Sequence, residues 1–343
     1  MTGGKAYADF VAVRARSALA RRTSQTDVFA IGPLTFRLTG PSGAPSDWMG
    51  RAFVTDAGAR DADIAHHVMV WDGTSPDDVH PSVPWAIEDT LPLGLVASHS
   101  DDMVRCAVDI HTDSLFVTDF GEGHTCTWYR AIPELPAWAK ASPFRIPLSW
   151  LCNRHRMQIV HGAAVGIDGQ AVLLLGNGGS GKSTTALACA LAGFDYLGDD
   201  YCAIEPAAGK VHMVYRTAKM FKTTLALLPS IEGQVENRAR IEQEKGVTFL
   251  DPHRIKLTRS ANLSAILLPR VGDGATPTIY PASRADVMKA VLPSTIGGLM
   301  GGTAATPGLL MELVRSVPAY HLVLAPDMGA VVDAVALKSR LAA

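Results

Sequence analysis

The stretch HGAAVGIDGQAVLLLGNGGSGKSTTALACALAGFDYLGDDY, residues 161–201, decides how this chain folds. Within it, GNGGSGKS (Gly176 to Ser183) fits the pattern G-x-x-x-x-G-K-[ST]. A chance match in a chain of this length has odds of about one in a hundred at average residue usage. The context sharpens the reading. AVLLL before the loop is a buried-strand run, and KSTTALACALA after it is helical, closed by Gly193 in the C′ position. Glycines let backbone N–H groups turn inward around phosphate oxygens, and the helix N-terminus adds its positive dipole end. Lys182 is placed to reach the β- and γ-phosphates, and the Ser183 hydroxyl to ligate Mg²⁺. Gly176, Asn177, Gly178, Gly179, Ser180, Gly181, Lys182, Ser183 and Thr184 are therefore expected to hold ATP with Mg²⁺.

Upstream, GIDGQ sets Asp168-Gly169 between two apolar runs, the signal of a two-residue hairpin. Pairing Ile167 with Gln170 carries the register back until His161 faces Gly176. The spacing thus predicts one strand over 158–167, a second over 170–175, and a histidine beside the phosphate loop. Side chains of facing residues share a face, so the His161 ring is expected on the nucleotide side.

Downstream, a short apolar strand over 194–198 leads into Asp199 and Asp200. If that strand runs in the direction of the phosphate-loop strand, a right-handed crossover brings both C-terminal ends to one sheet edge. Two carboxylates would then stand near the metal and the γ-phosphate. One can hold Mg²⁺ with Ser183, and the other can accept a proton from an attacking hydroxyl; which does which stays open. The other reading is a charged turn. CAIEPAAGKVHMVY reads as a hairpin turning at Gly209; Glu205 is a weaker candidate than the aspartates, and Arg216 and Lys219 could meet substrate or phosphate, although a solvated strand face suits those two basic residues better.

Farther out, a helix over 307–316, the strand AYHLVLA and a last helix capped by Asp327 complete an α/β domain. Residues 290–311 carry no charge, yet their prolines, glycines and hydroxyl residues favour a buried loop and helix over a membrane span. Toward the N-terminus, a helix over the first 25 residues buries Tyr7, Phe10, Val11, Ala15, Ala18 and Leu19. Strand-like runs follow. In one, Val104, Cys106, Val108 and Ile110 alternate with Arg105, Ala107 and Asp109, the period of a half-buried strand. The proline-punctuated piece over 132–150 reads as a linker.

A net charge of −2 with no long Lys/Arg cluster speaks against nucleic acid as a partner. The 5 cysteines are scattered without a C-x-x-C pair, which suits a reducing cytoplasm rather than a disulfide framework or a zinc site. The first residues lack the apolar core of a signal peptide, and no membrane association is expected.

Taken in order, HGAAV, the hairpin, GNGGSGKSTTA and GDDY resemble the HPr serine kinase/phosphorylase family, and more closely its HPr-kinase-like bacterial serine kinases. The resemblance is specific over residues 155–206 and says little about residues 1–140. It implies an α/β phosphate-loop kinase domain of the HPr kinase and phosphoenolpyruvate carboxykinase type over 150–343. A smaller, strand-rich α+β domain over 1–145 would bind substrate or partner. It places the family's strand histidine on His161, its phosphate-loop lysine on Lys182, its Mg²⁺-binding hydroxyl on Ser183 and its aspartate pair on Asp199 and Asp200. The E-x-R-G-x-G-type signature of the bifunctional enzymes has no counterpart; EQEKGVTFL (242–250) does not fit it. The resemblance therefore implies a cytoplasmic kinase acting on a hydroxyl other than that of HPr, in a peptide, protein or small molecule. The alternative class is an ATPase or nucleotide-binding regulator. No N-K-x-D motif suggests a GTPase, and a homo-oligomer is left open.

Overall fold

The computed structural model describes residues 3–42, 50–56, 58, 60, 63–91, 94–296 and 303–340. The fold is mixed α/β, in two compact units, Met1–Leu148 and Ser149–Ala343.

In the first unit, helix α1 (Gly3–Ala20) covers a six-stranded sheet. Its strands are β1 (Ser24–Ile31), β2 (Leu34–Pro41), β3 (His66–Asp72), β4 (Val104–Asp109), β5 (Ser114–Asp119) and β6 (His124–Tyr129), in the order β1-β2-β3-β6-β5-β4. Tyr7, Val11, Ala15 and Ala18 recur at helical spacing and pack on Trp71, Trp128 and Cys126. Phe10 departs from the expected stripe. It lies at the stripe's margin beside Tyr7, with ring centroids 6.0 Å apart, and remains 40% exposed.

The alternation expected along β4 also breaks. Ala107 is buried under a bridge from Leu95, and Asp109 is buried against Arg145, 3.1 Å away. Ile110 lies beyond the strand end and is 77% exposed. The piece expected to be a linker is instead packed. It forms the short helix α2 (Ala137–Lys140) and helix α3 (Arg145–Arg154), burying Ile132, Leu135, Phe144, Ile146 and Trp150. Its prolines start turns rather than loosen the chain: Pro136 stands just before α2, where its missing N–H costs nothing. The division between the units falls inside α3.

The second unit is built on one large sheet. Strands β7 (Gln158–Val160), β8 (Gly162–Ile167), β9 (Gln170–Leu175), β10 (Asp195–Gly198), β11 (Cys202–Glu205), β12 (Lys210–Met213) and β15 (Ser260–Val271) take the order β10-β8-β9-β15-β12-β11-β7. Strand β17 (Ala319–Leu324) runs parallel to β15, with β16 (Thr278–Pro281) outside it. The hairpin at Asp168-Gly169 has φ of 53° and 77°, the left-handed pair a type I′ turn requires, and Ile167 faces Gln170. β10 and β9 are each antiparallel to β8, so they point the same way and end on one edge.

Helix α4 (Lys182–Leu191) and the last helix α8 (Met328–Arg340) pack on one another and on β8 and β9. Asp327 caps α8, accepting the N–H groups of Gly329 and Ala330 at 2.9 and 3.2 Å. Helices α6 (Arg284–Ile296) and α7 (Thr306–Ser316) bury Val287, Val291, Leu310 and Leu313 against Leu173, Leu175 and Ile266. Of the charge-free run 290–311, residues 297–302 lie outside the described residues; residues 290–296 and 306–311 are helical. Among the described residues no helix is long and apolar enough to cross a membrane.

The expected single strand over 158–167 is two strands. β7 pairs with β11, Val160 facing Cys202, while β8 pairs with β9 and β10. The chain switches partners at His161.

Apart from the main sheet, β13 (Thr217–Met220) and β14 (Gly246–Phe249) form a two-stranded ribbon, and helix α5 (Lys222–Leu227) follows β13.

Candidate functional site

The phosphate loop leaves β9 at Gly176 and enters α4 at Lys182. Gly181 sits at the helix N-cap with φ of 103°, and a Cβ there would come within 2.2 Å of Leu324 Cδ1. No L side chain suits that position, in conformation or in space. The loop opens into a cleft of about 460 Å³ lined by His161, the loop residues Gly178 to Thr184, Asp199 and Asp200. That volume lies in the range of small-molecule sites. Gly176 and Asn177 are not on its wall. Their carbonyl oxygens instead accept from Lys182 Nζ, at 2.7 and 3.1 Å. Thr184 reaches the cleft, and its hydroxyl lies 2.8 Å from that of Thr224 on α5.

His161 stands at the junction of two ladders. Extending β8–β9 by one residue sets it opposite Gly176; extending β7–β11 sets it opposite Tyr201. The second ladder brings it against the aspartates: His161 Nε2 is 3.1 Å from Asp200 Oδ1.

The two aspartates divide their partners. Asp199 accepts from Ser183 Oγ at 2.8 Å and from the backbone N–H of Lys219 at 3.0 Å. Asp200 accepts from Lys219 Nζ at 2.7 Å. Asp200 has φ of 68°, a left-handed conformation that costs a non-glycine residue about 1 kcal/mol or more. The contacts to His161 and Lys219 hold it there. Burial and the neighbouring Asp200 charge raise the Asp199 carboxyl above its ordinary range, against the hydrogen bonds from Lys219 and Ser183. Burial also works against ionised Asp200, but the Lys219 ammonium and His161 outweigh it and hold that carboxyl well below the usual carboxylate range. Burial lowers the Lys182 ammonium, against the attraction of Asp199.

Lys219 differs from its reading as part of a solvated face. The strand β13 is buried along its length and Lys219 is only 6% exposed, bonded to both aspartates by one residue's backbone and side chain. Glu205 stands apart from the cleft lining, paired with His212 at 3.0 Å, and Arg216 is half-buried and likewise absent from it. Residues the motif could not supply complete the wall: Met220 and Phe221 from β13 and the turn after it, Lys245 before β14, and Val271, Leu324, Pro326 and Met328.

The donors suit Mg²⁺. Ser183, in the first turn of α4, and Asp199, which accepts its hydroxyl, offer hard oxygen donors, and Mg²⁺ ordinarily takes one or two protein ligands, completing its shell with waters and phosphate oxygens. Among the described residues no group of three or more His, Cys, Asp or Glu side chains could hold a metal by itself. The loop also leaves room for phosphate, since a Cβ added at Gly178 or Gly179 would meet nothing within 4 Å. Inside it, Ser180 Oγ is buried without a hydrogen-bond partner among the described residues.

No family model matches the chain, and no curated protein matches it.

Proposed function

We propose that this chain is a Mg²⁺- and ATP-dependent kinase of the HPr-kinase-like kind, acting on the hydroxyl of a peptide, protein or small molecule. The observation that carries the reading is the division of labour between the aspartates: Asp199 bonds the phosphate-loop serine, while Asp200 is held ionised in the same cleft by Lys219 and His161. A site built only to bind nucleotide has no need of the second carboxylate.

In this mechanism Ser183 and Asp199 would hold Mg²⁺, which when bound would neutralise phosphate oxygens. Lys182 leaves the loop carbonyls for the phosphates and stabilises the charge that spreads over the transferring group. Asp200 accepts the proton of the acceptor hydroxyl as its oxygen bonds to the γ-phosphorus. The bond from that phosphorus to the β–γ bridging oxygen breaks, and ADP leaves. His161 and Lys219 keep Asp200 aimed and ionised. The missing E-x-R-G-x-G-type signature argues for an acceptor other than HPr.

The test is to incubate the protein with Mg²⁺, γ-labelled ATP and a panel of serine peptides and hydroxylated small molecules. Label is expected on a defined acceptor. Label recovered only as inorganic phosphate would replace the kinase reading with an ATPase.

A further inference from the structure

Three lysines line the cleft, and two of them have oxygen partners. Lys182 donates to the loop carbonyls and Lys219 to Asp200. The third, Lys245, has its ammonium 5.1 Å from the centroid of the Phe221 ring, and among the described residues no carboxylate pairs with it.

The ribbon explains its position. In β13–β14 Met220 faces Gly246 and Lys219 faces Val247, so the next pair outward is Phe221 with Lys245. Residues two apart share a face, as do directly facing residues, so Lys219, Phe221 and Lys245 belong to one face of the ribbon. All three line the cleft. The ring is 48% exposed and holds the ammonium by its π face, which places the charge without neutralising it. Lys182 and Lys245 thus set two cationic side chains on the wall of the cleft that the glycine-rich loop also lines. A cleft with that wall suits an anion.

We infer that Lys245, held by Phe221, binds the terminal phosphate of the nucleotide together with Lys182 and sets the preference for a triphosphate over a diphosphate. This rests on the nucleotide reading of the phosphate loop. A hydrogen bond to a charged group contributes about 1.5–3 kcal/mol, which corresponds to roughly tenfold or more in affinity.

The test is calorimetric binding of ATP and of ADP, each with Mg²⁺, to wild type, Lys245→Met and Lys245→Arg, with thermal melting to establish that each variant is folded. The expected result is that Lys245→Met weakens ATP about tenfold or more and ADP by less than about twofold, while Lys245→Arg keeps most of the wild-type ratio. Equal weakening of ATP and ADP, or no change in either, overturns the inference and leaves the phosphate loop intact. Wild type that binds neither nucleotide overturns both. If Lys245→Met melts early, Lys245→Arg and Phe221→Leu decide: a ratio unchanged in Phe221→Leu and collapsed in Lys245→Arg overturns the inference.

Discussion

His161 Nε2 lies 3.1 Å from Asp200 Oδ1 although 39 residues separate them in sequence. Each reaches the other from the end of a strand: His161 follows β7, Asp200 precedes β11, and those two strands pair with Val160 facing Cys202. The contact is therefore fixed by backbone register, and it aims a carboxylate that already carries an unfavourable φ.

His161→Leu is expected to lower turnover by about 10- to 100-fold, the scale of a lost hydrogen bond to a charged group, with ATP affinity nearly unchanged. His161→Gln, which can still donate to Asp200, should recover part of that loss. Equal loss in both variants would argue against a positioning role, and loss of ATP binding in His161→Leu would place His161 on the phosphates instead.

Lys182→Ala should remove transfer to below about one-hundredth of wild type. The side chain is buried, yet among the described residues its ammonium bonds only to the loop carbonyls Gly176 O and Asn177 O, so the variant should remain folded. Steady-state kinetics beside a melting curve checks both halves. A folded variant with wild-type turnover would sink the assignment of the loop.

How much of this was legible in the sequence depends on how local the information is. The phosphate loop is one uninterrupted strand–loop–helix segment, so Gly176 to Thr184 can be read from their neighbours. The opposition of His161 and Gly176 follows from a two-residue turn whose register can be counted. Lys219 and Lys245 reach the cleft through β13–β14, a ribbon whose strands are separated by α5 and a long irregular stretch, with no turn to count from. The break at His161 was hidden for the same reason, since β7 takes its partner from beyond the aspartates. In the first unit, periodicity marked α1 and the strand runs, but Ala107 and Asp109 are buried by Leu95 and Arg145, distant contacts that alternation does not encode.

The first unit should lose stability in acid through His66. Its Nε2 lies 2.9 Å from Thr125 Oγ1 on β6, and burial, with the charges of His124 and His67, lowers its pKa to about 3. The unfolded chain binds a proton near pH 6.5, the folded chain only near pH 3, so the contribution is intact above about pH 6.5 and is lost as pH falls. By pH 5 the loss approaches about 2 kcal/mol. His66→Gln cannot titrate and can still bond Thr125, so its urea midpoint should fall less than that of wild type between pH 7 and pH 5. Parallel curves for the two proteins would show that His66 is not responsible.

The last prediction separates the aspartates. Asp199→Asn removes charge beside Ser183, so it should raise the Mg²⁺ concentration needed for half-maximal activity while leaving the contact from the Lys219 backbone available. Asp200→Asn should leave nucleotide binding nearly intact and lower transfer by roughly 10²-fold or more, the scale of losing a positioned base. It has a second consequence that a purely catalytic role does not share. Lys219 is buried and donates to Asp200 at 2.7 Å, so Asp200→Asn removes a carboxylate from beside a buried ammonium and should destabilise the fold. Adding Lys219→Met removes the buried ammonium as well. The double variant is expected to melt higher than Asp200→Asn alone while remaining as inactive, because stability returns with the charge and the base does not. If the double variant recovers activity as well as stability, Asp200 is a structural partner of Lys219 and the proton must go elsewhere. If both single variants transfer phosphate at wild-type rates, the pair is a structural turn.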